Sequence, residues 1–225
     1  MTSHRPSGVL VDVDGTLVDT TYVHTLCWWE AFRQDGHDVP MSRIHRAIGM
    51  GSDKILDHLL GADRDRGGDG RLRTGHDALF GEYRERLRPL PGAADLLRAC
   101  AQRGLLVVLA SSASERELRA LRAALDADDV IAVATSSADA DESKPAPDIV
   151  EAALSQAGLK PDQAVFIGDT VWDIAAAGHL DIPCIAVTCG GTSRAELANA
   201  GAAGVYDDPG DLLANFDRSP LANLA

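Results

Sequence analysis

The chain has 225 residues, of which 45% are apolar and 24% are charged, and its formal net charge at pH 7 is −13. This balance is typical of a soluble globular protein, and the acidic charge argues against binding to a nucleic acid backbone. No apolar run reaches the roughly 18–20 residues that span a bilayer, so no membrane partner is expected. The first residues lack the apolar segment of a secretory signal, and we therefore expect a cytoplasmic protein.

Apolar runs rich in Val, Ile and Leu alternate with amphipathic stretches over most of the chain. This alternation predicts an α/β fold with a parallel sheet and helices on both of its faces. The predicted strands cover residues 8–13, 105–110, 130–134, 164–167, 182–187 and 204–206. The predicted helices outside the region 20–88 cover residues 93–103, 114–125, 147–157, 171–177 and 193–200.

The first strand ends in a pair of acids, Asp12 and Asp14, followed by Gly15 and Thr16. Side chains alternate along a strand, so the two carboxylates point the same way and repel each other unless a cation or a shared proton intervenes. In open α/β sheets, ligands bind in the crevice outside these strand ends. The pair therefore predicts a ligand site in which a cation or a shared proton relieves the repulsion.

Residues 20–88, called the insert below, contain no predicted strand, and their apolar positions follow a helical period. The pattern predicts a four-helix insert with a solvated loop at 61–70. One apolar stripe comprises Tyr22, Leu26, Trp29 and Phe32, and the last comprises Leu79, Phe80, Tyr83 and Leu87.

Charge is divided unevenly between the insert and the rest of the chain. The insert carries eleven acidic and eleven basic side chains, whereas the rest carries 23 acidic and ten basic ones. One hypothesis is that the insert closes over an anionic ligand held by the acidic remainder. The alternative is that helix surfaces simply mix charges.

Hydroxyl groups follow the second predicted strand, where Ser111, Ser112 and Ser114 lead into a helix. Hydroxyls and backbone N–H groups in such a place can hold an anion. Serine is also a common residue at the start of a helix, and Ser114 is expected to serve as that cap.

Lys144 is one of only three lysines in the chain, and it precedes Pro145 and, two residues further on, Pro147. The prolines stiffen the backbone, so this lysine is predicted to be a positioned charge. It can offset nearby carboxylates and hold a phosphate oxygen.

A second pair of acids follows the fourth predicted strand, at Asp169 and Asp173. Residues four apart face the same direction once a helix begins. Capping of that helix by Asp169 is the alternative explanation. Together with Asp12 and Asp14, the pair predicts an oxygen cage for Mg²⁺.

In this order the motifs resemble those of the haloacid dehalogenase-like superfamily, over nearly the whole chain. Asp-x-Asp-Gly-Thr matches residues 12–16, the Ser/Thr after the second core strand matches Ser111, the lysine matches Lys144, and Gly-Asp-x-x-x-Asp matches residues 168–173. The resemblance implies a Rossmann-like doubly wound core, residues 1–19 and 89–225, with a helical C1-type cap, residues 20–88. Segments 143–148 and 200–206 most resemble the phosphoglycolate phosphatase and β-phosphoglucomutase branch.

The resemblance implies a phosphatase that acts on a small phosphorylated metabolite. Asp12 would be the nucleophile that forms an aspartyl-phosphate, and Asp14 would be the general acid and base. Lys144, Ser111 and Ser112 would bind the phosphoryl group. The implied Mg²⁺ ligands are Asp12, the backbone carbonyl of Asp14, and Asp169, with Asp173 in support.

Two residues of the insert are candidate substrate contacts. A histidine often occupies the position of His24 in this branch, where its titration would suit a gate or proton relay. Lys54 follows a glycine-containing segment, Gly49 to Asp53, that resembles the substrate-contacting cap loop of the branch. The alternatives are a histidine on a helix surface and a solvated lysine.

Other activities in the superfamily make testable alternatives. Dehalogenases lack the acid found here at Asp14, and phosphonoacetaldehyde hydrolases replace it with Ala, so this residue argues against both. The β-phosphoglucomutases use a further cap lysine, and none lies between Lys54 and Lys144, which favours hydrolysis and leaves a mutase as the alternative. A non-catalytic binding protein would be expected to lose a motif acid, and none is lost. A monomer or weak homo-oligomer is expected.

Overall fold

The structure, a computed structural model, describes residues 7–224. Its centre is a sheet of six parallel strands in the order β3-β2-β1-β4-β5-β6. The strands are β1 (Gly8–Val11), β2 (Leu106–Ala110), β3 (Ile131–Thr135), β4 (Ala164–Gly168), β5 (Cys184–Val187) and β6 (Gly204–Tyr206). The predicted α/β class with a Rossmann-like parallel sheet is confirmed.

Ten α-helices occur among the described residues. They are α1 (Thr21–Gln34), α2 (Met41–Ala47), α3 (Ser52–Leu60), α4 (Asp69–Gly81), α5 (Ala93–Gln102), α6 (Glu115–Leu125), α7 (Asp148–Ala157), α8 (Val171–Gly178), α9 (Arg194–Asn199) and α10 (Pro209–Ala214). None of the helices between residues 7 and 224 has the length and apolar character needed to traverse a lipid bilayer.

Both faces of the sheet are covered, and this explains why β1 is continuously apolar. Val9 and Val11 belong to one buried cluster and Leu10 to another on the opposite face. A strand buried on both faces contains apolar residues at every position, as parallel strands usually do.

The helix α10 was not predicted from the sequence. The carboxylate of Asp208 accepts a hydrogen bond from the backbone N–H of Asp211, and Pro209 occupies the first helical position. An acid followed by proline is a recognised start of a helix. The segment is only six residues long, so it lacks the apolar periodicity on which the other predictions depend.

The insert contains the helices α1 to α4 and has its own apolar cluster, which includes Trp28, Phe32 and Ile44. The stripe predicted for α1 was wrong at two of its four positions, because Tyr22 is 62% exposed and Leu26 is 38% exposed, whereas Phe32 is buried and Trp29 packs against the cluster. The helix rotates so that its buried face carries polar as well as apolar residues, including His24. The last predicted stripe was also wrong in part, since α4 ends before Tyr83 and a short 3₁₀ turn follows it.

The two ends of the insert lie side by side. The backbone N–H of Asp19 donates to the carbonyl of Arg88 at 3.0 Å, and the N–H of Leu90 donates to the carbonyl of Leu17 at 2.8 Å. These bonds hold the chain where it leaves and re-enters the sheet-containing part, directly beyond the acids that follow β1.

Candidate active site

The carboxyl ends of β1 and β4 bring the two acidic motifs together. The strands are neighbours with Val11 paired to Ile167, and the backbone N–H of Asp12 donates to the carbonyl of Ile167 at 2.9 Å. Asp12 therefore lies beside the segment that carries Asp169, although 157 residues separate the two in the sequence.

Lys144 lies between two of these acids. Its Nζ donates to Asp12 Oδ1 at 2.5 Å and to Asp173 Oδ1 at 2.7 Å, and its side chain is only 1% exposed. Burial alone would lower the pKa of Lys144, but the two carboxylates more than offset that effect and raise it above its ordinary value. The lysine is a fixed, buried cation.

Three buried carboxylates form a compact group that fits a divalent cation. Oxygens of Asp12, Asp169 and Asp173 lie within 4.8 Å of one another. Burial, followed by the charges of Asp173 and Asp12, raises the pKa of Asp169 well above its ordinary value. Burial also raises the pKa of Asp12, to about 7, although Lys144 lowers it. Three acids against one ammonium group leave an excess of negative charge that a divalent ion would neutralise.

Asp14 has a different environment from Asp12. Its Oδ1 accepts hydrogen bonds from Thr20 Oγ1 at 2.7 Å and from His24 Nε2 at 3.2 Å. Burial alone would raise the pKa of Asp14, but the bonds from His24 and Thr20 lower it below its ordinary value. Neighbouring carboxyl groups whose pKa values are pushed apart are suited to different chemical tasks.

His24 joins Asp14 to a chain of polar groups in the insert. Its Nδ1 lies 3.0 Å from His76 Nε2, and His76 Nδ1 lies 3.1 Å from Asp77 Oδ1. The carboxylate of Asp77 requires the proton of His76 on Nδ1, so Nε2 of His76 accepts from His24. Because His24 also donates to Asp14, both of its ring nitrogens carry hydrogen.

The directions of the two pKa shifts agree with this arrangement. Burial alone would lower the pKa of His24, but Asp14 and then Glu117 raise it above its ordinary value. Burial lowers the pKa of His76 below its ordinary value. The pair therefore consists of an imidazolium and a neutral imidazole.

A cleft of about 170 Å³ lies between the insert and the ends of the strands. On the sheet side its lining includes Asp12, Asp14, Ser112, Glu117 and Lys144. On the insert side it includes His24, Trp28, Arg73, His76 and Asp77. Five of the site residues predicted from the sequence therefore line one cavity, and its walls carry both acidic and basic groups. The five are Asp12, Asp14, His24, Ser112 and Lys144.

Other predicted site residues do not line this cleft. Asp169 and Asp173 lie in the buried acidic group described above. Ser111 is fully buried, and its Oγ accepts the N–H of Ala113 at 3.1 Å. Lys54 is turned towards Glu142, with 2.5 Å between Nζ and Oε2, so in this structure it is part of a contact between the insert and the loop before Lys144.

Several cleft residues were not predicted from the sequence, namely Arg73, His76, Asp77 and Glu117. His76 and Glu117 both contact His24, but they lie 52 and 93 residues away along the chain. Glu117 is in the first turn of α6, where an acid also favours the helix dipole. Its sequence position alone therefore gives no sign of a role in a site.

Parallel strands with acids gathered at the ends of the two central ones define a Rossmann-like α/β protein whose ligand site lies at the change of strand order. A family model described as haloacid dehalogenase-like hydrolase matches residues 6–181, and the chain belongs to this family. The membership expected from the four motifs is confirmed.

Known proteins similar to the chain include a hydrolase from Pseudomonas syringae, whose crystal structure superposes with a TM-score of 0.89 at 31% identity, covering 94% of this chain and 98% of that one. Phosphoglycolate phosphatase from Rhodospirillum rubrum is 27% identical over 212 residues, which are 90% of this chain and 88% of that protein. The chloroplastic protein SUPPRESSOR OF QUENCHING 1 from Arabidopsis thaliana is 31% identical over 218 residues. That match covers 94% of this chain, which spans only 20% of the Arabidopsis protein.

Proposed function

We propose that the protein is a Mg²⁺-dependent phosphatase that hydrolyses a small phosphorylated metabolite through an aspartyl-phosphate intermediate. The observation that carries the proposal is the contrast between two carboxylates at the end of β1. Asp12 lies against Lys144 and the buried acids, whereas Asp14 is held by His24 and Thr20. Family membership and the similarity to phosphoglycolate phosphatase support the same conclusion.

The residues present fit Mg²⁺. The ion prefers oxygen ligands and is often held by one or two carboxylates together with a substrate phosphate. Asp12 and Asp169 would hold it together with the backbone carbonyl of Asp14, and Asp173 would support them. When bound, Mg²⁺ would screen the charge of the nucleophile from that of the phosphate.

The side chains divide the first half of the reaction between them. A carboxylate oxygen of Asp12 attacks phosphorus, and the bond from phosphorus to the leaving oxygen breaks. Asp14 relays to that oxygen the proton that His24 Nε2 donates to it, so the product leaves as an alcohol. Lys144 holds a phosphoryl oxygen, and Ser112 is placed to do the same, since its Oγ is buried in the cleft without a partner among residues 7–224.

The second half regenerates the enzyme. The carboxylate of Asp14 removes a proton from water and returns it to His24, and the oxygen of that water attacks the phosphorus of the aspartyl-phosphate. The acyl phosphate bond breaks, so that Asp12 recovers its carboxylate and inorganic phosphate is released. Closure of the insert over the cleft would keep bulk water from the intermediate.

Substitution of the nucleophile tests the proposal. With p-nitrophenyl phosphate and Mg²⁺, Asp12→Asn is expected to lower kcat on the order of 10³-fold or more. Asp19→Asn removes an exposed acid from the same loop and should retain the parent rate. Mass spectrometry of protein quenched during turnover should find a phosphoryl group on Asp12. Near-parental activity of Asp12→Asn would remove the nucleophile assignment.

The mutase alternative is separated by its products. A phosphatase incubated with glucose 1-phosphate releases glucose and inorganic phosphate in equal amounts. Glucose 6-phosphate formed without release of phosphate would contradict hydrolysis and favour a β-phosphoglucomutase-like activity.

A further inference from the structure

Glu117 has no task in the reaction proposed above, although it lines the cleft beside Asp14. Its side chain is 14% exposed, and its Oε1 lacks a hydrogen-bond partner among the described residues. The nearest candidate donor is His24 Nε2, at 3.4 Å from Oε1. That nitrogen carries a single hydrogen, which it donates to Asp14 Oδ1. Oε1 of Glu117 is therefore a buried acceptor without a hydrogen-bond donor among the side chains of the cleft, although the carboxylate lies near the charge of His24 and accepts a backbone hydrogen bond from Ser114.

The position of this acceptor relates it to the leaving group of the substrate. Carboxylate oxygens of Glu117 and Asp14 lie within 4.8 Å of each other and of a nitrogen of His24. Since Asp14 is the proposed acid for the leaving oxygen, groups attached to that oxygen come close to Glu117. A hydroxyl group there would donate to Oε1, whereas a carboxylate would meet a second negative charge.

Lys144 and His24, two of the three cations that line the cleft, already pair with carboxylates. Lys144 is paired with both Asp12 and Asp173. Arg73 lies on the insert side, and its Nε donates to the carbonyl of Ser52 at 3.2 Å. His24 uses both ring nitrogens, one towards Asp14 and one towards His76.

We propose that Glu117 is a specificity-determining residue that accepts a hydrogen bond from a hydroxyl group of the leaving alcohol. It would select phosphate monoesters of polyols or sugars over monoesters whose leaving group carries a carboxylate. This inference rests on the proposed phosphatase function, and it names the substrate class for that same cleft.

Two matched substrate pairs test the inference on the wild-type protein. 2-Hydroxyethyl phosphate and 2-phosphoglycolate differ in a hydroxymethyl against a carboxylate group, and so do glycerol 3-phosphate and 3-phosphoglycerate. Burial raises the pKa of Glu117 to about 7, so the assays are run at about pH 8.5, where Glu117 is ionised. In each pair we expect kcat/KM to be about tenfold or more higher for the hydroxyl member, because a site that hydrogen-bonds a hydroxyl discriminates strongly.

Substitution of Glu117 separates charge from shape. Glu117→Gln keeps the size of the side chain and removes its charge. In each substrate pair, the ratio of kcat/KM for the hydroxyl member to that for the carboxylate member should fall to about threefold or less, chiefly because kcat/KM for the carboxylate member rises. Glu115→Gln removes an exposed acid from the same helix and should keep the wild-type ratios. Unchanged ratios in Glu117→Gln would overturn the assignment.

The failure of this inference is distinguishable from failure of the proposed function. If p-nitrophenyl phosphate is hydrolysed but 2-phosphoglycolate and 3-phosphoglycerate are the preferred members, the cleft favours a carboxylate over a hydroxyl group, and the inference is wrong. If none of the five phosphate esters is hydrolysed with Mg²⁺, the proposed function itself is wrong. The kcat/KM ratios of the wild-type protein test the predicted preference for hydroxyl-bearing substrates even if Glu117→Gln does not fold.

Discussion

The pKa values of the carboxyl groups in the site are shifted in different directions because their hydrogen-bond donors differ. Asp12 contacts the ammonium group of Lys144, Asp14 contacts the imidazolium of His24, and Oε1 of Glu117 has no hydrogen-bond partner among the described side chains. An ionised carboxylate that is buried without a full set of donors lowers the stability of the folded state. The site therefore concentrates charge at a cost to stability.

Glu117 provides a direct measure of that cost. Burial raises the pKa of Glu117 from 4.5 to about 7, so between these pH values the folded protein keeps a proton that the unfolded chain releases. The free energy of unfolding must therefore fall as pH rises through this window, and the full cost is present above it. A shift of this size corresponds to up to about 3 kcal/mol.

We therefore predict that Glu117→Gln is more stable than the wild-type protein at pH 8, with the difference shrinking towards pH 4.5. Urea denaturation at the two pH values measures the free energies of unfolding. Glu115→Gln is the control and should change stability little at either pH. A wild-type protein that is the more stable of the two at pH 8 would show that the carboxylate of Glu117 is not destabilising.

At the scale of elements, the start of α3 is docked onto the loop that carries Lys144. The backbone N–H of Gly51 donates to Ser143 Oγ at 3.0 Å, and Ser143 Oγ donates to Asp53 Oδ1 at 2.5 Å. A Cβ atom at Gly51 would lie 2.5 Å from Ser143 Cβ. The insert can therefore approach the loop that carries Lys144 this closely only because residue 51 is a glycine.

Gly51→Ala is predicted to lower kcat/KM by about 10–100-fold, because small displacements of positioned groups are costly in catalysis. The φ angle of Gly51 is −73°, which alanine adopts without strain. The substitution therefore tests only the steric clash between the new Cβ atom and Ser143. Gly70→Ala, on α4, meets nothing within 4 Å and should leave kcat/KM unchanged. Thermal unfolding of both variants shows whether a loss of activity comes without loss of the fold. Equal kcat/KM in the two variants would contradict a catalytic need for the docked loop.

The strands and most helices were predictable because each has a local signal. Continuous apolar runs mark the six strands, and glycine or serine marks several helix ends, such as Ser114 before α6. The orientation of α1 was not predictable in this way. Its buried face carries His24, whose partner His76 lies on α4, and a contact between polar side chains leaves no apolar pattern.

At the scale of the whole molecule, the net charge of −13 comes entirely from the part of the chain outside the insert, which also contains the proposed metal site. We predict that Mg²⁺ raises the Tm of the wild-type protein, by about 5–10 °C at a hundred times Kd. The ion binds the folded protein and relieves repulsion among Asp12, Asp169 and Asp173. Chelation with EDTA should reverse the shift and abolish turnover.

Two Asp→Asn variants test whether the rise in Tm comes from Mg²⁺ bound at the proposed site. Asp169→Asn should lose most of the Mg²⁺-dependent shift, whereas Asp162→Asn, at an exposed position, should keep it. An equal shift in both variants would mean that Mg²⁺ acts elsewhere on the acidic surface.

The meeting of acids at one end of the sheet could be predicted because the carboxyl ends of parallel strands share an edge. Asp12 and Asp169 were placed together on that basis and Lys144 through the family resemblance, and the structure brings the three together. The positions of the cleft residues on α1, α4 and α6 could not be predicted, because they depend on how these three helices pack. Glu117 and Asp77 face the same cavity only as a result of that packing.

The paired backbone bonds at Asp19–Arg88 and Leu17–Leu90 have a consequence for the evolution of this architecture. Because the chain departs and returns at one point, a segment of any length can be spliced there while the strand register remains intact. The insert can therefore change in length and sequence while the strands that carry the buried acids keep their pairing.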